Sequence, residues 1–266
     1  MIPICISTGF RPWLSTARQI AHLQEKTGAG GVELLLTKKS YEKIDIIADD
    51  IYLNCVPAHI KSMHTPFAQG KGSLLDRLFT LSTQAYPENW EPKTFFQKSW
   101  WSHLVTHLND PSSPVLKNLD QYQNQQKIIF EYREKFSGST GEFNFKHPED
   151  FRKFLDENNL LCCFDVGYAA ESWPNLTLKE SFMTLAPRVK IIHLYDIKFK
   201  GGLLGMFDKN LILGKGVLEQ EIIELLEYVK YIKFPGHIVL EISPFYRLAS
   251  VRKMVKRIRE ILEGGE

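Results

Sequence analysis

Short apolar runs alternate with amphipathic stretches from one end of the chain to the other. Unbroken or alternating apolar runs rich in Ile, Val, Leu and Phe predict strands at 2–7, 30–36, 60–64, 105–107, 128–131, 160–165, 189–194 and 238–241. Between them, apolar residues recur three and four apart over 13–26, 41–50, 115–125, 148–158, 178–185, 219–230 and 248–263, the spacing of helices with one buried face. Strand and helix in strict alternation imply a parallel sheet, and eight repeats are the number that closes a (β/α)8 TIM barrel. A single domain spanning 1–266 is therefore expected, since such barrels run to about 250 residues.

Local punctuation agrees with this reading. His147-Pro148-Glu149-Asp150 puts a proline and two acids into a first helical turn, where they suit the unpaired amides and the helix dipole. Ser250 is placed to act near the start of the last helix, and Gly264-Gly265 follow its end. The stretch 68–104 is harder to read. It holds Trp90, Phe95, Phe96, Trp100 and Trp101 with Pro87 and Pro92, and part of it must supply the third helix. The remainder fits either a lid over the barrel mouth or aromatic packing at a helix or subunit contact.

Composition narrows the class. At 44% hydrophobic and 24% charged residues the chain is globular rather than disordered. A net charge of +2 gives no bulk electrostatic case for nucleic acid. The basic run of the last helix (Arg252, Lys253, Lys256, Arg257, Arg259) reads as a solvated outer face. The four cysteines lack the Cys-x-x-Cys spacing of thiolate zinc sites, and Cys162 and Cys163 should point to opposite faces of one strand as reduced thiols. Neither a leader nor a membrane-length apolar run is apparent, so a cytoplasmic protein is expected.

The chemistry is concentrated at strand ends. Glu131, Asp165, His193 and Glu241 each close a predicted strand, and a barrel brings all such ends to one face. Three carboxylates and an imidazole make an anionic pocket that calls for a divalent cation, the plainer role being pairing of Glu131 or Glu241 with a buried base. His64 and His107 end two further strands and form a second candidate pair, with hydrogen bonding at the mouth as their plainer role. Arg133, two residues after Glu131, is a candidate for gripping a substrate carboxylate or phosphate, or for a salt bridge at the mouth. Lys198 opens a Gly- and Lys-rich loop that could close on an anion, although exposed mobile lysines explain it as well. No pattern assigns a role to His22, His59, His103, His147 or His237.

Six short motifs, in order, resemble the xylose isomerase-like barrels, which include sugar isomerases, epimerases and endonuclease IV. They are Gly31-Val32-Glu33-Leu34, Met63-His64-Thr65-Pro66-Phe67, Val105-Thr106-His107, Phe164-Asp165-Val166-Gly167-Tyr168, Ile192-His193-Leu194-Tyr195-Asp196 and Leu213-Gly214-Lys215-Gly216. The resemblance implies that Glu131, Asp165, His193 and Glu241 bind a catalytic divalent metal, Zn or Mn by preference, with Mg or Co as alternatives. It implies that Glu131 and Glu241 move a proton on a small-molecule substrate, a sugar or sugar phosphate. In the endonuclease-like branch, His64 and His107 would join Glu131 around a second ion, the arrangement of a two-metal phosphoesterase. That branch's third metal is carried by histidines where this chain has Tyr168 and Asn210, leaving only Asp208 of the set. Neutral tyrosine and asparagine are poor ligands for such an ion, which argues against nucleic acid as substrate. Tyr168 and Asp208 are instead expected as substrate contacts. A non-catalytic barrel stays a third alternative, and a homo-oligomer stays open.

Overall fold

The computed structural model describes residues 1–8, 17–35, 60–64, 102–108, 127–132, 143–198, 209–243 and 245–264. Eight strands form a closed barrel in sequence order: β1 (Ile4–Ser7), β2 (Gly31–Leu35), β3 (Ile60–His64), β4 (Leu104–His107), β5 (Ile128–Glu131), β6 (Leu161–Asp165), β7 (Val189–Leu194) and β8 (His237–Leu240). Every neighbouring pair is parallel, and β8 closes on β1. Described helices are α1 (Ala17–Thr27), α2 (Pro148–Glu157), α3 (Val166–Ser172), α4 (Leu178–Leu185), α5 (Glu219–Tyr231) and α6 (Leu248–Glu263). The helices expected at 41–50 and 115–125, and all but the last residues of the stretch 68–104, lie outside the described residues.

Strand alternation sorts the core into two parts. Outward residues such as Val32, Leu34, Phe130, Cys162, Phe164 and Ile192 pack under the helices. Inward residues Cys5, Val105, Ile129, Cys163, Ile191 and Val239 fill the barrel itself. Cys162 and Cys163 thus face opposite sides, as their adjacency implies. Helix α5 shows why the outer layer forms. Its Ile222, Leu225, Leu226 and Val229 recur at helical spacing and are buried, each worth about 1.5–3 kcal/mol of transfer free energy.

Capping fixes several boundaries. Thr177 and Glu180 form a reciprocal capping box at α4. Helix α6 begins at Leu248 with Arg247 as its capping residue, so Ser250 lies inside the first turn rather than at the cap. The basic face of α6 is superficial: Arg257 pairs with Glu219 at 2.6 Å and Lys256 with Glu260 at 3.5 Å. Short helix α3 follows β6 immediately, with no separate prediction from sequence. Its existence traces to Asp165, whose Oδ1 accepts a 2.8 Å hydrogen bond from the Tyr168 amide and so caps it.

No described helix is long and apolar enough to cross a membrane.

Candidate metal centre

One layer above the apolar filling of the barrel, the inward positions turn polar. His64, His107, Glu131, Asp165 and His193 lie at or next to the ends of β3 to β7, and Glu241 directly follows β8. The strand ends converge as the alternation requires. His107 is in register with Glu131, and Asp165 with His193.

The centre is organised around Glu131. His107 Nδ1 lies 3.3 Å from its Oε1, and His64 Nε2 lies 3.4 Å from its Oε2. His193 Nδ1 is 3.0 Å from that same Oε2, 3.5 Å from Glu241 Oε1 and 4.0 Å from Asp165 Oδ2. The His64 and His193 rings stack with centroids 5.5 Å apart. All are buried except Glu241, whose side chain keeps 15% exposure and so faces the mouth.

Asp165 is held by one oxygen. Its Oδ1 accepts from the Tyr195 hydroxyl at 2.8 Å as well as from the Tyr168 amide. Its Oδ2 is buried without a hydrogen-bond partner among the described residues. Gly167 makes this possible, because a Cβ there would collide with the Tyr195 hydroxyl. Asp196 explains why two of the sequence motifs travel together. Its buried carboxylate accepts from the Gly214 and Gly216 amides at 3.1 and 2.8 Å, and from Ile197 and Leu218 at 2.9 Å each. It is a clamp on the Gly-x-Gly turn and not a member of the centre.

Glu33 is the member that sequence reasoning missed. It lies on β2, in register with Ser7 and Ser62, and is fully buried. Both its oxygens are 3.3 Å from His193 Nε2, and the Ser62 hydroxyl donates to Oε2 at 3.2 Å. A lone acid inside an apolar parallel strand was the available signal, since ionisable groups are rarely buried unless paired. Gly31, two residues before it on the same face, leaves the room. A Cβ there would stand 2.5 Å from Cys5 Sγ.

The charges sort into two kinds. Burial pushes the Glu131 carboxyl up, but His107, His193 and His64 outweigh it and hold it well below the usual range. Glu33 is also pushed up by burial and lowered on balance by His193, His64 and His237. Asp165 is driven well above the usual range by burial and then by the charges of Glu131 and Glu241. Burial, with Glu131 adding to it against His193, brings Glu241 to about 7. His64, despite burial, is raised to about 9 by Glu131. His193 is raised well above its ordinary value against burial by Cys163, Glu33 and Glu241.

Of the other expected site residues, Tyr168 stands beside the centre, its ring centroid 6.5 Å from that of His107. Lys209 Nζ lies over the Tyr168 ring at 5.8 Å and pairs with Glu171. Lys198 is exposed at the start of its loop. Arg133 and Asp208 lie outside the described residues.

No family model and no curated protein matches the chain. Solved structures do. A D-tagatose 3-epimerase-like protein superposes with a TM-score of 0.60 at 17% identity over 98% of both chains. The IOLI protein, described with a binding zinc atom, gives 0.62 at 15% identity, again over 98% of both. Endonuclease IV from Thermus thermophilus gives 0.56 at 13% identity over 98% of this chain and 99% of its own. The fold is the closed (β/α)8 barrel that these structures share. Structures with this fold range here from an epimerase-like protein to an endonuclease. The shared barrel therefore leaves the chemistry to be argued from the side chains.

Proposed function

We propose that this protein is a divalent-metal-dependent isomerase or epimerase acting on a sugar or sugar phosphate. The observation that carries the reading is the convergence of Glu131, Asp165 and Glu241 oxygens within 4.0 Å of a single imidazole nitrogen, His193 Nδ1. The donor set suits a borderline divalent ion such as zinc or manganese. The orphaned Asp165 Oδ2, and two acids pushed toward neutrality, are what such a cation would relieve. Glu131, Asp165, His193 and Glu241 would hold it. When bound, the ion supplies Lewis-acid stabilisation of negative charge on adjacent carbonyl and hydroxyl oxygens.

The two glutamates have unequal roles. Glu131 is gripped by three imidazoles and stays ionised, which makes it a ligand first and a weak base. Glu241 keeps partial exposure at the mouth, which suits a group that would take a proton from substrate and return it. Tyr168, whose ring lies beside that of His107, would hydrogen-bond substrate through its hydroxyl. It cannot serve as a base near neutrality.

Solvent deuterium exchange tests the reading. The zinc- or manganese-loaded protein, incubated with ketoses, aldoses and their phosphates in D2O, should label the carbon beside the carbonyl of its substrate. Glu241→Gln should abolish the label. Absence of exchange with every such sugar overturns it.

A second reading has one specific observation behind it. His107 and His64 flank the two different oxygens of Glu131, the arrangement of a carboxylate bridging two ions. The product would be a phosphoesterase. Two ions per chain, the second lost in His64→Ala, together with phosphodiester cleavage, would favour it.

A further inference from the structure

The geometry points to Glu33 as the positioning residue that turns His193 toward the metal: it holds the Nε2 proton so that Nδ1 faces the carboxylates. This inference rests on the metal-centre reading above. The two ring nitrogens of His193 have different surroundings. Nε2 has Glu33, with both carboxylate oxygens at 3.3 Å and hydrogen-bond geometry to Oε2. Nδ1 has oxygens of Glu131, Glu241 and Asp165 at 3.0, 3.5 and 4.0 Å, and makes no hydrogen bond among the described residues. One nitrogen is bonded and the other is aimed at a gathering of oxygens.

An imidazole can ligate through only the nitrogen that carries no proton, and the partner of the other nitrogen decides which that is. Glu33 is suited to the partner's task because it is itself fixed. It is fully buried, Ser62 donates to its Oε2, and β2 holds its backbone in register with β1 and β3. Charge also favours the arrangement, since an ionised Glu33 accepts only and so commits Nε2 to the donor role. The chain Ser62–Glu33–His193 thus runs from the β3 wall through the barrel to the centre.

The rival role for Glu33 is that of a ligand, since it also groups with His193 and Glu241 closely enough to share an ion. Zinc titration and imidazole NMR separate the two. In the metal-free wild type, a protected, downfield His193 Nε2 proton is expected, lost in Glu33→Ala and kept in Glu33→Gln, whose amide oxygen can still accept. With zinc, Glu33→Ala should bind the same number of ions about 10–100-fold more weakly, and Glu33→Gln should recover most of that loss. A fall of one ion per chain in both variants overturns positioning in favour of ligation. An unchanged Nε2 proton and unchanged affinity in Glu33→Ala overturn it outright. A wild type that takes up no zinc removes the functional reading instead, and the metal-free proton signal then decides this inference alone.

Discussion

Acid should unfold this barrel partly from its floor. His103 and His237 stand two residues before the inward Val105 and Val239, one layer below the apolar filling, with ring centroids 5.5 Å apart. His103 Nδ1 and His237 Nε2 are buried without partners among the described residues. Burial, then the charge of His103, lowers His237 to about 3. Burial, then Lys190, lowers His103 to about 4. A depressed histidine stays neutral in the fold while the unfolded chain takes up a proton below about pH 6.5. Its contribution is therefore intact above that value and is lost as pH falls toward the folded one. At about pH 5 the gap is about 1.5 pH units, or about 2 kcal/mol for each histidine at 1.36 kcal/mol per unit. The acids and imidazoles of the mouth titrate as well, so the clean quantity is a difference. Urea unfolding of wild type and His237→Gln, followed by tryptophan fluorescence, should show the stability gap between them moving by about 2 kcal/mol in favour of the variant between about pH 7.5 and about pH 5. Parallel pH profiles would refute the reasoning.

Three further outcomes are expected. Asp196→Asn should lose at least two of four buried amide acceptor contacts and cost about 2–4 kcal/mol by urea denaturation, without removing any proposed ligand. Tyr195→Phe removes the hydroxyl that holds Asp165 Oδ1 and should weaken zinc affinity about tenfold by competition with a chelating dye, with stoichiometry unchanged. Gly31→Ala forces a Cβ to 2.5 Å from Cys5 Sγ and 2.8 Å from the Ile60 carbonyl, and a loss of about 1–3 kcal/mol is expected in thermal denaturation.

The barrel was readable because its strands are buried on both faces, so each one appears as a short apolar run. Strands β3, β5 and β7 and helices α4 and α6 fall where that pattern puts them. The ligand candidates were readable for a related reason: an acid or imidazole terminating such a run stands out. Glu33 escaped because it sits inside its strand, with Leu34 and Leu35 after it. Nothing in a linear pattern shows that barrel shear carries a mid-strand β2 residue under the end of β7. Helix α3 escaped because its cap, Asp165, is also a strand end and a candidate ligand, and one residue signals only one boundary at a time. The unequal glutamates were hidden for a third reason. Only packing shows that three imidazoles outweigh burial at Glu131, while at Glu241 burial and the Glu131 charge outweigh His193.

The claim on which the rest depends is that these strand ends hold a divalent ion. Crystals of protein purified without chelator and supplied with zinc, measured across the zinc absorption edge, test it most directly. An anomalous peak bounded by Glu131, Asp165, His193 and Glu241, and absent in Asp165→Ala, is the expected result. A metal-replete crystal with no anomalous density among those four side chains would contradict it.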